Sequence, residues 1–150
     1  MKSISLGGAA AVFAAVLILL SLLPTAGVAA DITVYKSPYC GCCAEWVTHM
    51  RSHGHDMKTV EMEDLTAIKK MTGVGEHLQS CHTAVVDGYV IEGHVPAADV
   101  ARLLTEKPKA RGLAVPGMPI GSPGMEGANP EPYEVLLFQA DGSASVYARH

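Results

Sequence analysis

Three of the four cysteines in this 150-residue sequence stand within one tetrapeptide, Cys40-Gly41-Cys42-Cys43, and the fourth, Cys81, follows far downstream. Thiolates are nucleophiles and soft metal ligands, so these positions carry the chemistry the chain can perform. Cys40 and Cys43 taken alone have the C-x-x-C spacing of a dithiol redox pair. Cys42 is surplus to a two-thiol exchange and needs its own explanation. The tetrapeptide opens a helical stretch, where backbone N–H groups and the helix dipole favour the thiolate, so lowered thiol pKa values are expected there. Cys81, in Ser80-Cys81-His82-Thr83, comes just before a strand whose start should lie beside the triple-cysteine turn. Four sulfurs would then converge in space. Two ordinary disulfides are the plainer alternative, made awkward by adjacent Cys42 and Cys43, whose side chains should diverge.

Soft thiolates select Cu(I), while zinc and iron–sulfur clusters also accept four cysteines. Zinc usually takes a wider split than C-x-C-C, so copper suits the set best. Bridging sulfurs would hold more than one Cu(I). Outer ligands are sought among thioethers and imidazoles. Met118 and Met125 lie in a Pro/Gly-rich segment that could fold over the cluster as a lid, and His94 follows a predicted hairpin at the same end of the domain. His82 adjoins Cys81, but neighbours on a strand face opposite ways, which disfavours it. His49 and His53 share a helix face at i, i+4 spacing with His55 close by. That group could chelate a metal but reads as a solvated face. Trp46 is expected to anchor the core, Met50, Met57, Met62 and Met71 to pack, and His150 to be inert.

The elements that must position these residues follow from periodicity and turn chemistry. Ile32–Tyr35 is a β-branched and aromatic strand, and the stretch after Ser37-Pro38 runs helical to about His53 with Cys43, Trp46, Val47 and Met50 on one face. Gly54 ends it. Lys58–Met62 reads as a strand parallel to the first through a right-handed crossover. Asp64 can cap a helix over Leu65–Met71 that stops at Gly73. Thr83–Val86 and Tyr89–Glu92 flank Asp87-Gly88, the signature of an antiparallel hairpin. Pro96 starts a helix with Val100, Leu103 and Leu104 inward. Lys107–Pro132 carries six prolines and five glycines and is expected to hold no regular structure. A second hairpin, Glu134–Gln139 and Ser143–Ala148, closes the sequence. The order β-α-β-α-β-β-α with cysteines at the first strand-to-helix junction is the layout of an α/β thioredoxin-like mixed sheet. The cis-proline usual before its third strand is replaced by Cys81.

Length supports one domain, residues 31–150, behind an N-terminal segment. In residues 1–30, Lys2, the charge-free run Ala9–Leu23, Pro24 and small residues at Val28-Ala29-Ala30 read as a secretory signal. An uncleaved membrane anchor is the alternative, since Leu6–Leu23 is barely long enough to span. No cysteine follows the apolar run to take a lipid. The mature chain is therefore expected in the periplasm, off the membrane after cleavage. A formal charge of −4 and no basic cluster longer than Lys69-Lys70 exclude capture of nucleic acid or of a membrane surface by a basic patch.

Ser37-Pro38-x-Cys-Gly-Cys-Cys-x-x-Trp46, Ser80-Cys-His-Thr-Ala-Val-Val-Asp-Gly-Tyr89, Glu92-Gly-His-Val-Pro96 and Pro116-Gly-Met-Pro-x-Gly-Ser-Pro-Gly-Met-Glu126 resemble the periplasmic CopG family of bacterial copper-resistance proteins. The match spans the mature chain. It implies a thioredoxin-like fold, a role in copper tolerance, and a cysteine-bridged copper cluster, held by Cys40, Cys42, Cys43 and Cys81, that cycles between Cu(I) and Cu(II). Three functions compete: a copper-binding redox protein, a thiol–disulfide oxidoreductase in which Cys40 attacks and Cys43 resolves, and a non-enzymatic chaperone passing copper to an export system or a multicopper oxidase, with other periplasmic copper-homeostasis proteins as the expected partners. The first of these, with turnover, would be a copper-dependent oxidoreductase.

Overall fold

A computed structural model describes residues 29–150. The secretory-signal reading falls almost wholly outside the described residues. Within them, no helix is long and apolar enough to cross a membrane. The elements are β1 (Asp31–Lys36), α1 (Gly41–Ser52), β2 (Asp56–Glu61), α2 (Thr66–Thr72), a 3-10 turn (Glu76–Leu78), β3 (His82–Val86), β4 (Tyr89–Glu92), α3 (Ala97–Glu106), β5 (Gly112–Ala114), β6 (Glu134–Phe138) and β7 (Ala144–Arg149).

One seven-stranded mixed sheet runs β2-β1-β3-β4-β5-β6-β7. β1 alternates, burying Ile32, Val34 and Lys36, and it is the organising strand. It pairs parallel with β2 from Asp31↔Asp56 to Lys36↔Glu61, as the β-α-β order requires, and antiparallel with β3 from Thr33↔Val85 to Lys36↔His82. The β3–β4 turn places both Asp87 (φ 47°) and Gly88 (φ 82°) in the left-handed region, the conformation of a type I′ hairpin. Asp64 accepts the Thr66 N–H at 2.8 Å, and Gly73 (φ 78°) ends α2. The expected thioredoxin-like order is thus the order found.

Strand β5 corrects one expectation, because regular structure does occur within Lys107–Pro132. Gly112–Ala114 pairs parallel with β4 and antiparallel with β6, so it joins the C-terminal hairpin to the main sheet. Three buried residues between prolines give too short a pattern to read. Gly112 is a close-approach glycine, for a Cβ there would lie 1.8 Å from the Val90 carbonyl oxygen.

Adjacent strand residues face opposite sides, and the core divides accordingly. Trp46, Val47 and Met50 of α1 and Val100, Leu103 and Leu104 of α3 pack with Ile32, Val34, Ala84, Ile91 and Leu113. Val74, Leu78, Val90, Ala114 and Phe138 form a smaller cluster from the alternate positions. Met71 is the exception among the methionines expected to pack, since it is 76 % exposed while α2 buries Ile68, Lys69 and Thr72 instead.

Candidate metal centre

The end of β1 delivers the chain into α1, and Cys40 caps that helix, its Sγ accepting the Cys43 N–H at 3.3 Å. Cys40 and Cys43 are joined as a disulfide, while Cys42 and Cys81 are free. Cys42 Sγ lies 3.5 Å from Cys40 Sγ. Cys81 arrives from the residue just before β3, antiparallel to β1, and the four cysteine sulfurs all lie within 4.8 Å of one another. The expected divergence of Cys42 and Cys43 therefore does not keep their sulfurs apart. Only Cys43 is fully buried. The expectation of lowered thiol pKa values does not extend to the fourth cysteine, because burial, reinforced by Cys42, pushes the Cys81 thiol up to about 12.

Two imidazoles complete the donor set. His94 Nε2 sits 3.0 Å from Cys81 Sγ, and its Nδ1 lies 2.8 Å from the Pro123 carbonyl oxygen. A carbonyl can only accept, so Nδ1 carries the proton and Nε2 presents a lone pair to the sulfur. Orientation of a ligating histidine by a backbone carbonyl is the usual outer support of a metal site. His82 Nδ1 lies 3.3 Å from the same sulfur, and Cys81, His82 and His94 form a second group with ligand atoms within 4.8 Å. The alternation that disfavoured His82 fails because Cys81 precedes the strand. Burial holds both imidazoles below their ordinary pKa, so they stay neutral and able to ligate. The Trp46 ring lies 4.5 Å from His82, and its Nε1–H donates to the Val95 carbonyl at 2.8 Å, as befits the expected anchor.

The Pro/Gly-rich loop covers this corner. Gly117 accepts from the Ser80 hydroxyl and donates its N–H to Gln79 at 3.0 Å, beside Cys81. Gly124 (φ 84°) presses on α1, where an added Cβ would fall 2.7 Å from the Cys42 carbonyl oxygen and 2.8 Å from the Trp46 nitrogen. Pro123, between these contacts, fixes His94. Met125 is half-buried in the same turn, whereas Met118 is 51 % exposed.

Two solved structures, named copper resistance protein CopG, form 2 and form 1, match this architecture with a TM-score of 0.77 and 42 % identity. The matches cover 82 % of this chain and 99 % and 98 % of theirs. The chain belongs to the CopG family. A family model described as "Protein of unknown function, DUF411" matches residues 78–125, which run from Leu78 at the end of the 3-10 turn to Met125 in the covering loop. No curated protein sequence matches.

A polar scaffold beside the four cysteines has no signature in the sequence. Glu92, wholly buried, pairs with buried Lys69 of α2, takes the Ser80 N–H at 2.8 Å and accepts the Thr83 hydroxyl at 2.6 Å. These partners bracket Cys81 and His82. Nothing in the sequence separates Lys69 from exposed Lys70. Of the three histidines expected on a solvated face, His53 is exposed and the other two behave otherwise. His49 Nε2 accepts the Ala97 N–H at 3.1 Å, supplying the side-chain cap that Pro96 cannot give α3, and His55 is buried. His150 is not idle, since it contacts Asp99 at 2.7 Å and stacks on Tyr133.

Proposed function

We propose that this chain is a periplasmic copper-binding protein of copper resistance that holds Cu(I) in a multinuclear thiolate cluster. The supporting observation is the convergence of Cys40, Cys42, Cys43 and Cys81 with His82 and His94 at one covered corner. Six sulfur and nitrogen donors without a carboxylate suit a soft ion and offer little to calcium or magnesium. Bridging by four sulfurs holds several Cu(I) ions, and all four become ligands once the Cys40–Cys43 disulfide is reduced. His94 is presented by Nε2, and Met125, with Met118, supplies thioether donors from the loop. The neutral Cys81 thiol gives up its proton as copper arrives. The periplasmic location rests on the apolar N-terminal segment, and the resistance role on the named relatives.

The test is metal stoichiometry and X-ray absorption of the reduced mature chain, loaded with Cu(I) without oxygen. More than one copper per chain with mostly sulfur neighbours is expected, and Cys42→Ser or Cys81→Ser should cut retention at least about tenfold. Unchanged retention in both variants overturns the cluster. One observation favours thiol–disulfide exchange as a second reading, namely a disulfide between partly exposed Cys40 at a helix start and fully buried Cys43. Reduction of a disulfide substrate through Cys40 by copper-free protein would establish it.

A further inference from the structure

His94 stands in the short corner, residues 93–96, that joins β4 to α3 and belongs to neither element. Its ring must nevertheless keep Nε2 3.0 Å from Cys81 Sγ. Two side chains of α1 hold this corner from one side. The Trp46 Nε1–H donates to the Val95 carbonyl at 2.8 Å, and His49 Nε2 accepts the Ala97 N–H at 3.1 Å. We propose that His49 is a positioning residue for His94, acting through the corner and touching no metal itself. This inference rests on the copper-holding reading and adds what keeps a nitrogen donor of that site in place.

Spacing along α1 explains why this helix can act as the brace. Cys43, Trp46 and His49 recur every three residues and share one broad face. The first carries a sulfur of the cluster, and the other two grip the backbone on either side of Pro96. Sulfur and imidazole are thereby referenced to one rigid element. Pro96 gives α3 no side-chain cap, so without His49 the Ala97 N–H is one of the orphaned donors of a helix start. The Pro123 carbonyl orients the His94 ring from the loop but does not hold the backbone that carries it. His49 supplies that second constraint from a half-buried position, where a side chain can be changed without emptying the core.

The contact also has its own response to acid. It uses the Nε2 lone pair, so neutral His49 keeps its proton on Nδ1, and a second proton turns Nε2 into a donor facing another donor. Contact and brace then end together. Burial, with the charge of His53 and, less strongly, of His55, lowers the His49 pKa against the pull of Glu126 in the covering loop. On α3, Asp99 is engaged by His150 and Arg102. The brace is therefore complete above about pH 6.5 and is lost at lower pH, a dependence that a merely space-filling side chain lacks.

The experiment follows the ring-nitrogen resonances of His49 and His94 and the Ala97 amide in the copper-free mature chain from about pH 8 to about pH 5, beside release of Cu(I) to a competing chelator. In the parent chain, the Ala97 amide and the His94 ring should shift with the midpoint of His49. His49→Gln keeps an oxygen acceptor for the same N–H and takes up no proton, so that step should vanish while copper release near pH 8 stays within about twofold of the parent. His49→Leu should disturb the His94 ring already at about pH 8 and speed copper release about fivefold, the scale of a lost helix cap. His94 resonances and copper release unchanged in His49→Leu overturn the inference, as does a His49→Gln chain that keeps the parent's pH step. Should His49→Leu fail to fold, the comparison of parent with His49→Gln decides. A parent chain that retains no Cu(I) removes the copper-holding reading, whereas the copper-free resonances still decide the brace.

Discussion

Glu92 concentrates the cost of building this centre. A carboxylate and an ammonium withdrawn from water lose several kcal/mol each, and the pair is sustained only because the Ser80 N–H and Thr83 hydroxyl also serve the carboxylate. Burial pushes the Glu92 carboxyl up in pKa against the opposing pull of Lys69 and these donors. Glu92→Gln leaves Lys69 buried without its counter-charge, and a loss of about 3–5 kcal/mol in denaturant unfolding is expected. Recovery of part of that loss in Glu92→Gln/Lys69→Met is the second arm. A single-variant loss below about 1 kcal/mol, the scale of an exposed pair, contradicts the assignment. At this scale the four cysteines and His94 were legible because few other roles suit them. Lys69 was not, since a buried lysine and a solvated one share the same helical context.

Among elements, the covering loop matters more than its lack of regular structure suggests. Its glycines permit both the left-handed turn at Gly124 and close approach to the first turn of α1. Gly124→Ala places a methyl against the Cys42 carbonyl and the Trp46 nitrogen at an unfavourable φ, so a stability loss of about 1–3 kcal/mol is expected with faster loss of bound copper to a competing chelator. Unchanged thermal unfolding and copper retention would show that the loop does not rest on the helix. The two hairpins were readable because Asp-Gly turns announce themselves, and the loop's covering position because thioether donors were sought at Met118 and Met125. Strand β5 was hidden because its pairing depends on β4 and β6, which no local pattern in Gly112–Ala114 records.

For the molecule as a whole, four histidines make stability depend on acidity. Burial holds His49, His55, His82 and His94 below their ordinary pKa, assisted by neighbouring positive charge at the first three and opposed at His94 by the Pro123 carbonyl and Glu126. The unfolded chain takes up those protons near pH 6.5, and the folded chain takes them up only at lower pH. The unfolded state then binds more protons in that window, so stability is complete above about pH 6.5 and erodes as pH falls below it. The metal-free protein should show a falling Tm between about pH 7 and about pH 5, with a shallower slope in His55→Leu. A flat profile in the parent chain contradicts this. The order of elements up to α3 was legible from periodicity, whereas the seven-strand extent of the sheet emerges only when distant segments pair.

The carbonyl of Pro123 belongs to the loop, yet it fixes the tautomer of His94. Any event that lifts this segment would uncover the sulfurs and unlatch the imidazole in one motion. Door and latch are one piece of chain, so entry and departure of cargo are governed together.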